Sequence, residues 1–184
     1  MKVTFITGNE NKAKTLEKYL GYPVGHRKVD LDELQSLELR EIVEHKVKQA
    51  FELIKEPVLV EDISFEIGAV GHLPGPFIKW FIEELGFEKL CRLADSDASR
   101  AAVTKVCYGY YDGSRLELFE GELHGSMPKS PRGSDGFGWN CVFIPDGQSK
   151  TNAEMTPEET EKYSLRTTTV YPALRKFLSG LDSE

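Results

Sequence analysis

At 184 residues, 40% hydrophobic and 29% charged, the chain has the size and composition of one folded domain with its own core. Its 23 basic against 30 acidic residues leave a net charge of −7, which argues against nucleic acid as a partner but not against a small phosphorylated ligand held by a few lysines. No apolar run approaches the roughly 20 residues of a membrane span, so no membrane partner is expected.

The start, MKVTFITGNENK, has too short an apolar stretch for a secretory signal. It reads as a first strand, Lys2–Thr7, broken by Gly8-Asn9. Glu10 to Leu20 follows as a helix, with Ala13, Leu16 and Leu20 at helical spacing and Gly21 as its cap. Pro23–Leu31 reads as a second strand. Leu39 to Ile54 is an amphipathic helix with Ile42, Val43, Val47, Ala50, Phe51 and Ile54 on one face. Glu56–Asp62 reads as a buried strand ending in two carboxylates, which completes an α/β opening.

Beyond it, Gly71–Phe81 begins as a Gly/Pro loop and becomes a short helix, with another helix near Phe87 to Ala94. Ala101–Tyr111 and Arg115–Gly125 read as two long strands joined by the hairpin turn DGS. Val142–Pro145 reads as a further strand. Thr156–Tyr163 reads as a short helix with a capping box from Thr156 and Glu159, and Pro172–Leu181 as a closing helix. No repeat, linker or charge block marks a boundary, so residues 1–184 are expected to form one domain. Cys91, Cys107 and Cys141 are an odd number without C-x-x-C spacing, which fits buried free thiols in a reducing cytoplasm.

Three constellations could carry chemistry. TGNENKAK, Thr7–Lys14, is a strand running through a glycine turn into a helix, whose N-terminal amides attract phosphate while Lys12 or Lys14 supplies charge. Taken alone, such a turn is more often only a turn. Glu61 and Asp62, joined by Glu33 in DLDELQ, offer oxygen ligands suited to magnesium, or are simply solvated acids at strand ends. Neighbours on a strand point to opposite faces, so only one of Glu61 and Asp62 faces a given cleft. Lys46, Lys79, Arg132, Lys162 and Arg166 are scattered basic residues, each by itself ordinary surface charge. No His spacing suggests a metal site and no Cys or Ser sits in a nucleophile context.

The order of segments goes further. TGNENK, DLDELQ, PVLVED, GHLPGPFIKWF, PRGSDGFGW, FIPDG, and AEM followed by SLR run through the chain from residue 2 to about 178. Together they resemble the inosine triphosphate pyrophosphatase family, also called Ham1. The resemblance implies an α/β fold with an elongated, mixed, twisted sheet flanked by helices, in two lobes with a nucleotide cleft between them. It implies magnesium-dependent hydrolysis of nucleoside triphosphates such as ITP, dITP and XTP to the monophosphate and pyrophosphate, with manganese as a substitute ion, in a homodimer.

Carried onto this sequence, the resemblance makes Thr7, Gly8, Asn9 and Lys12 the phosphate turn and Lys46 a further phosphate-site cation. Glu33 and Asp62 become the metal ligands; with Lys12 they form the catalytic set, in which a carboxylate activates water. Phe77 and Lys79 lie in the matching PGPFIKWF stretch. Phe137, Gly138 and Trp139 become walls of the base pocket, and Asn140, Lys162, Ser164 and Arg166 complete the substrate set.

The sequence departs from the family where the base is read. Asn140-Cys141 replaces the usual Asp-Pro, and Leu165 replaces the His of Ser-His-Arg. The lysine usual before that motif falls on Thr160 in an ungapped match, with Lys162 two residues later. Asn140 offers a donor and an acceptor where Asp offers acceptors alone, and Leu165 offers neither. Two outcomes follow: a shifted base preference, or the old preference in a weaker enzyme. The alternative from another class is a nucleotide-binding homologue with little catalysis.

Overall fold

β1 (Val3–Ile6) is buried along its whole length, as expected of a strand paired on both edges. It runs parallel to β2 (Val24–Arg27), with Val3 opposite Val24, and to β3 (Val58–Ile67), with Thr4 opposite Val58. The computed structural model describes residues 3–134 and 138–181. Among them the sheet has the order β2-β1-β3-β5-β6-β7, with β4 (Pro74–Gly75) pairing antiparallel to the far end of β3. β5 (Ala101–Tyr111) and β6 (Leu116–Ser126) form the expected hairpin. Asp112 closes its turn by accepting from the amides of Ser114 and Arg115. β7 (Ile144–Pro145) is antiparallel to β6. The result is a mixed, open α/β sheet flanked by helices.

The helices follow their apolar spacing closely. α1 (Glu10–Leu20) buries Ala13, Leu16 and Leu20, and α2 (Leu39–Ile54) buries Ile42, Val43, Val47 and Ala50. α3 (Ile78–Arg92) is interrupted at Gly86, whose φ of 71° breaks it into the two short helices expected. α4 (Pro157–Lys162) carries the Thr156–Glu159 capping box, and α5 (Tyr171–Gly180) closes the chain.

Three strands differ from expectation. β2 stops at Arg27 rather than Leu31, because Val29 and Leu31 turn onto the apolar cluster under α2. Val142–Pro145 is only partly strand: Asn140–Val142 forms a 3-10 turn, leaving two residues to β7. β3 runs on to Ile67, so Glu61 and Asp62 lie within a strand, not at its end. Along one edge, however, they lie past the pairing with β1. The register that sets Phe5 opposite Leu59 carries Ile6 to Val60, so Glu61 and Asp62 are the first residues beyond the end of β1.

By contacts the chain forms two compact units. One comprises Met1–Asp62, Val106–Gly121 and Arg166–Glu184; the other comprises Ile63–Lys105 and Glu122–Leu165. The core of the first includes Ile6, Val43, Val47, Ala50, Val58, Val60 and Cys107. α2 approaches β5 so closely that a Cβ on Gly109 would lie 2.6 Å from Val43, which only glycine tolerates. The second core gathers Phe65, Ile67, Ile78, Leu90, Cys91, Met127, Val142 and Phe143, among others. All three cysteines are buried and free, as the sequence suggested.

Candidate active site

The turn between β1 and α1 is built by its own side chains. Thr7 Oγ1 accepts from the Asn9 amide at 3.1 Å, and Asn9 Oδ1 accepts from the Lys12 amide at 3.2 Å. Asn9 is therefore the N-cap of α1. The Thr7 amide donates to the Arg27 carbonyl at 3.0 Å, which seats the turn on β2. Gly8 is not demanded by packing, since a Cβ there would meet only the Lys28 side chain at 3.9 Å. The cap fixes where Lys12 leaves the first helical turn.

Lys12 reaches Glu61, and so does Arg166. Lys12 Nζ donates to Glu61 Oε1 at 3.1 Å, while Arg166 donates from Nε to Oε2 at 3.0 Å and from Nη2 to Oε1 at 2.5 Å. The Tyr108 hydroxyl donates to the same carboxylate and lies 3.4 Å from that of Tyr171. Glu61 is 3% exposed; Lys12 and Arg166 retain 29% and 24%. Burial pushes the Glu61 carboxyl up, but the charge and hydrogen bonds of Arg166, then Lys12 and Tyr108, hold it well below the usual carboxylate range. Burial, then the Glu61 charge, pushes the Tyr108 phenol well up.

Arg166 opens a π-helical turn, Arg166–Val170, leading into α5. This turn lies against β6 at Gly121, where a Cβ would fall 1.9 Å from Thr169 Oγ1. Such turns interrupt regular helix where a side chain has to be aimed.

Asp62 points the other way. It accepts from Lys46 Nζ on α2 at 2.5 Å, both side chains being largely buried. The strand's two-residue period explains the split: Val58, Val60 and Asp62 share one face, where α2 packs, and Glu61 lies on the opposite one. Glu33 is exposed in the irregular segment between β2 and α2. That segment is tied to α2 beside it, where the Asp32 amide and carboxylate bond the Gln49 side chain reciprocally, both at 2.8 Å.

Among the described residues, no group of three or more His, Cys, Asp or Glu could hold a metal by itself. Asp62 and Glu33 still provide the donor type magnesium takes. That ion needs only one or two carboxylates when it keeps waters and takes phosphate oxygens, so this donor set fits it.

Other expected site residues belong to the second unit. Trp139 packs its ring 5.6 Å from that of Phe65, Gly138 has a φ of 59°, and a half-buried Asn140 begins the 3-10 turn. Phe137 lies outside the described residues. Lys162 is exposed, its ammonium 5.5 Å from the Tyr163 ring, and Ser164 is half-buried. Leu165 is 8% exposed, so it fills core. Lys79 lies over Trp80 at 5.2 Å, and both are exposed.

Of the sequence candidates, the structure thus joins Lys12 with Arg166 and Lys46 with Asp62. It adds Tyr108 and Tyr171, and it sets Glu61, a candidate carboxylate in the sequence, between Lys12 and Arg166. Glu61 was visible as a carboxylate, but nothing local marks it as the meeting point of residues 12, 108 and 166.

A family model described as "Ham1 family" matches residues 3–179. The chain belongs to the Ham1 family. The inosine triphosphate pyrophosphatase of Schizosaccharomyces pombe is 39% identical over 99% of this chain and 96% of its own length. An inosine triphosphate pyrophosphatase 2 from Trypanosoma cruzi is 41% identical over 90% of this chain and 86% of its own. A dITP/XTP pyrophosphatase from Methanopyrus kandleri is 37% identical over 91% of each chain. Among solved structures, the Staphylococcus aureus Ham1 protein aligns with a TM-score of 0.86 at 21% identity, covering 98% of this chain and all of that one. This last likeness establishes the Ham1 fold.

Proposed function

We propose that this Ham1-family chain is a nucleoside triphosphate pyrophosphatase that hydrolyses non-standard purine nucleotides, ITP, dITP and XTP, to the monophosphate and pyrophosphate. One observation carries the reading. Just past the end of β1, consecutive strand positions hold two different carboxylates, Glu61 paired with Lys12 and Arg166, and Asp62 paired with Lys46. Ligands of open α/β sheets bind at such strand ends, and the named relatives act on these nucleotides.

Lys12 and Lys46 hold the triphosphate, with Thr7, Gly8 and Asn9 shaping the turn beside it. Asp62 accepts a proton from water as its oxygen attacks the α-phosphorus; the bridge to the β-phosphorus breaks and pyrophosphate leaves with the bonding pair. Lys46 orients Asp62 for that transfer. Magnesium, when bound at Glu33 and Asp62, supplies neutralisation of phosphate charge. Phe137, Gly138 and Trp139 wall the base, Arg166 and Asn140 read its edge, and Ser164 and Lys162 flank it. With Leu165 committed to packing, Arg166 supplies the charged donors to a keto oxygen. We place the protein in the cytoplasm, where its three thiols stay reduced, as a homodimer with no nucleic-acid partner.

Asp62→Asn tests the assignment, because it preserves size and removes the proton acceptor. Pyrophosphate release from ITP with magnesium is expected to fall about 100-fold or more, with circular dichroism unchanged. Unaltered turnover would refute the role given to Asp62, whereas negligible pyrophosphate release by the wild type would favour a nucleotide binder with little catalysis.

A further inference from the structure

We propose that Glu61 is the positioning residue for base selection, fixing the plane of Arg166 while holding Lys12 by a bond that substrate phosphate replaces. The inference rests on the reading above for what Arg166 and Lys12 meet, and adds how one buried carboxylate sets both.

The two cations are held unequally. Arg166 makes two hydrogen bonds to Glu61, one to each carboxylate oxygen, the bidentate geometry that fixes a guanidinium in orientation as well as place. Lys12 makes one longer bond, at 3.1 Å, from a flexible stem that keeps 29% exposure. An arriving triphosphate competes easily for the second contact and poorly for the first.

Glu61 is itself held. Tyr108 donates to it from the buried side, and Tyr171 backs Tyr108 at 3.4 Å. The Tyr171 ring also packs against Tyr19 of α1 at 5.5 Å, so the helix that carries Lys12 and the segment that carries Arg166 share one aromatic support. A carboxylate fixed in this way fixes the guanidinium in turn.

The consequence is chemical. A guanidinium has five N–H donors and no acceptor. Arg166 commits two of them to Glu61, and its remaining donors take a direction set by that pair. Donors alone suit a purine bearing a keto oxygen and penalise one bearing an amino group, because facing donors leave each other unpaired. The selection is only as sharp as the orientation is fixed.

The test measures selection as a ratio. Binding of IMP and AMP to wild type and to Glu61→Gln would be measured by calorimetry, alongside pyrophosphate release from ITP and ATP. The carboxamide sets an NH₂ against Arg166, so the IMP-over-AMP affinity ratio is expected to fall about tenfold, with AMP affinity little changed. Equal weakening of both nucleotides, or an unchanged ratio, would overturn the proposal.

Removing one partner of a buried ion pair can unfold a protein. Tyr108→Phe therefore serves as the second variant, since it deletes a single hydroxyl and keeps Glu61 charged. It is expected to lower the same ratio two- to fivefold, because the loss of one charge-assisted hydrogen bond to the carboxylate loosens Glu61 while the Arg166 pair remains; no change would count against the proposal. The binding ratio needs no turnover. A wild type that binds IMP selectively but releases no pyrophosphate would sink the enzymatic reading and leave the role of Glu61 standing or falling on its own measurement.

Discussion

Cys107 lies in the core beneath α2, where burial, aided by the charge of Glu120, pushes its thiol up to about 12; burial likewise pushes Cys91 up to about 11. Both groups bind their proton more tightly folded than unfolded, where the thiol titrates near ~8.5. The stability they contribute is therefore complete below pH ~8.5 and is lost as pH rises toward the folded values. We expect the urea midpoint to fall steadily between about pH 8.5 and 11. A thiol reagent at pH 8 should label native protein slowly and denatured protein at once; rapid labelling of the native protein would contradict the burial of all three cysteines. Glu61 and Asp62 show how far single residues were legible. Strand alternation alone separates their faces, and that separation holds. Which cation each would meet depended on where α2, α1 and the Arg166 turn come to lie, and no local pattern encodes that.

At the scale of elements, the helices were legible because caps and apolar spacing agree. α1 and α2 begin and end where the spacing placed them, Asn9 capping the first and the left-handed Lys55 ending the second. β2 and β7 were not: Val29 and Leu31 pack on a core rather than extend a ladder, and Val142 is buried from a 3-10 turn, which leaves two residues of VFIP to β7. The π-helical turn at Arg166–Val170 was invisible in sequence, being set by contact with β6. Gly121 permits that contact. Gly121→Ala would set a methyl against Thr169 and Val170, with the nearest atom at 1.9 Å, and overpacking of this kind costs about 1–3 kcal/mol. We expect a lower denaturation midpoint together with a weakened turnover of ITP, since the segment that must shift carries Arg166. Full stability would show that the turn can move aside freely.

For the whole molecule, an acidic chain with a net charge of −7 nonetheless gathers Lys12, Lys46 and Arg166 near the end of β1, two carboxylates balancing them. Membership of the Ham1 family fixes the fold, and the order of motifs along the chain made that family legible before any coordinate. The departures at Asn140 and Leu165 were equally legible, yet only the structure shows Leu165 spent on packing. In the proposed reaction, water attacks the α-phosphorus of a keto-purine triphosphate. The most direct test of that step is hydrolysis of ITP in ¹⁸O-labelled water with magnesium, followed by mass spectrometry of the products. Attack at the α-phosphorus gives IMP carrying the label and unlabelled pyrophosphate; unlabelled IMP with label in pyrophosphate, label in inorganic phosphate with IDP, or no products at all, would contradict it.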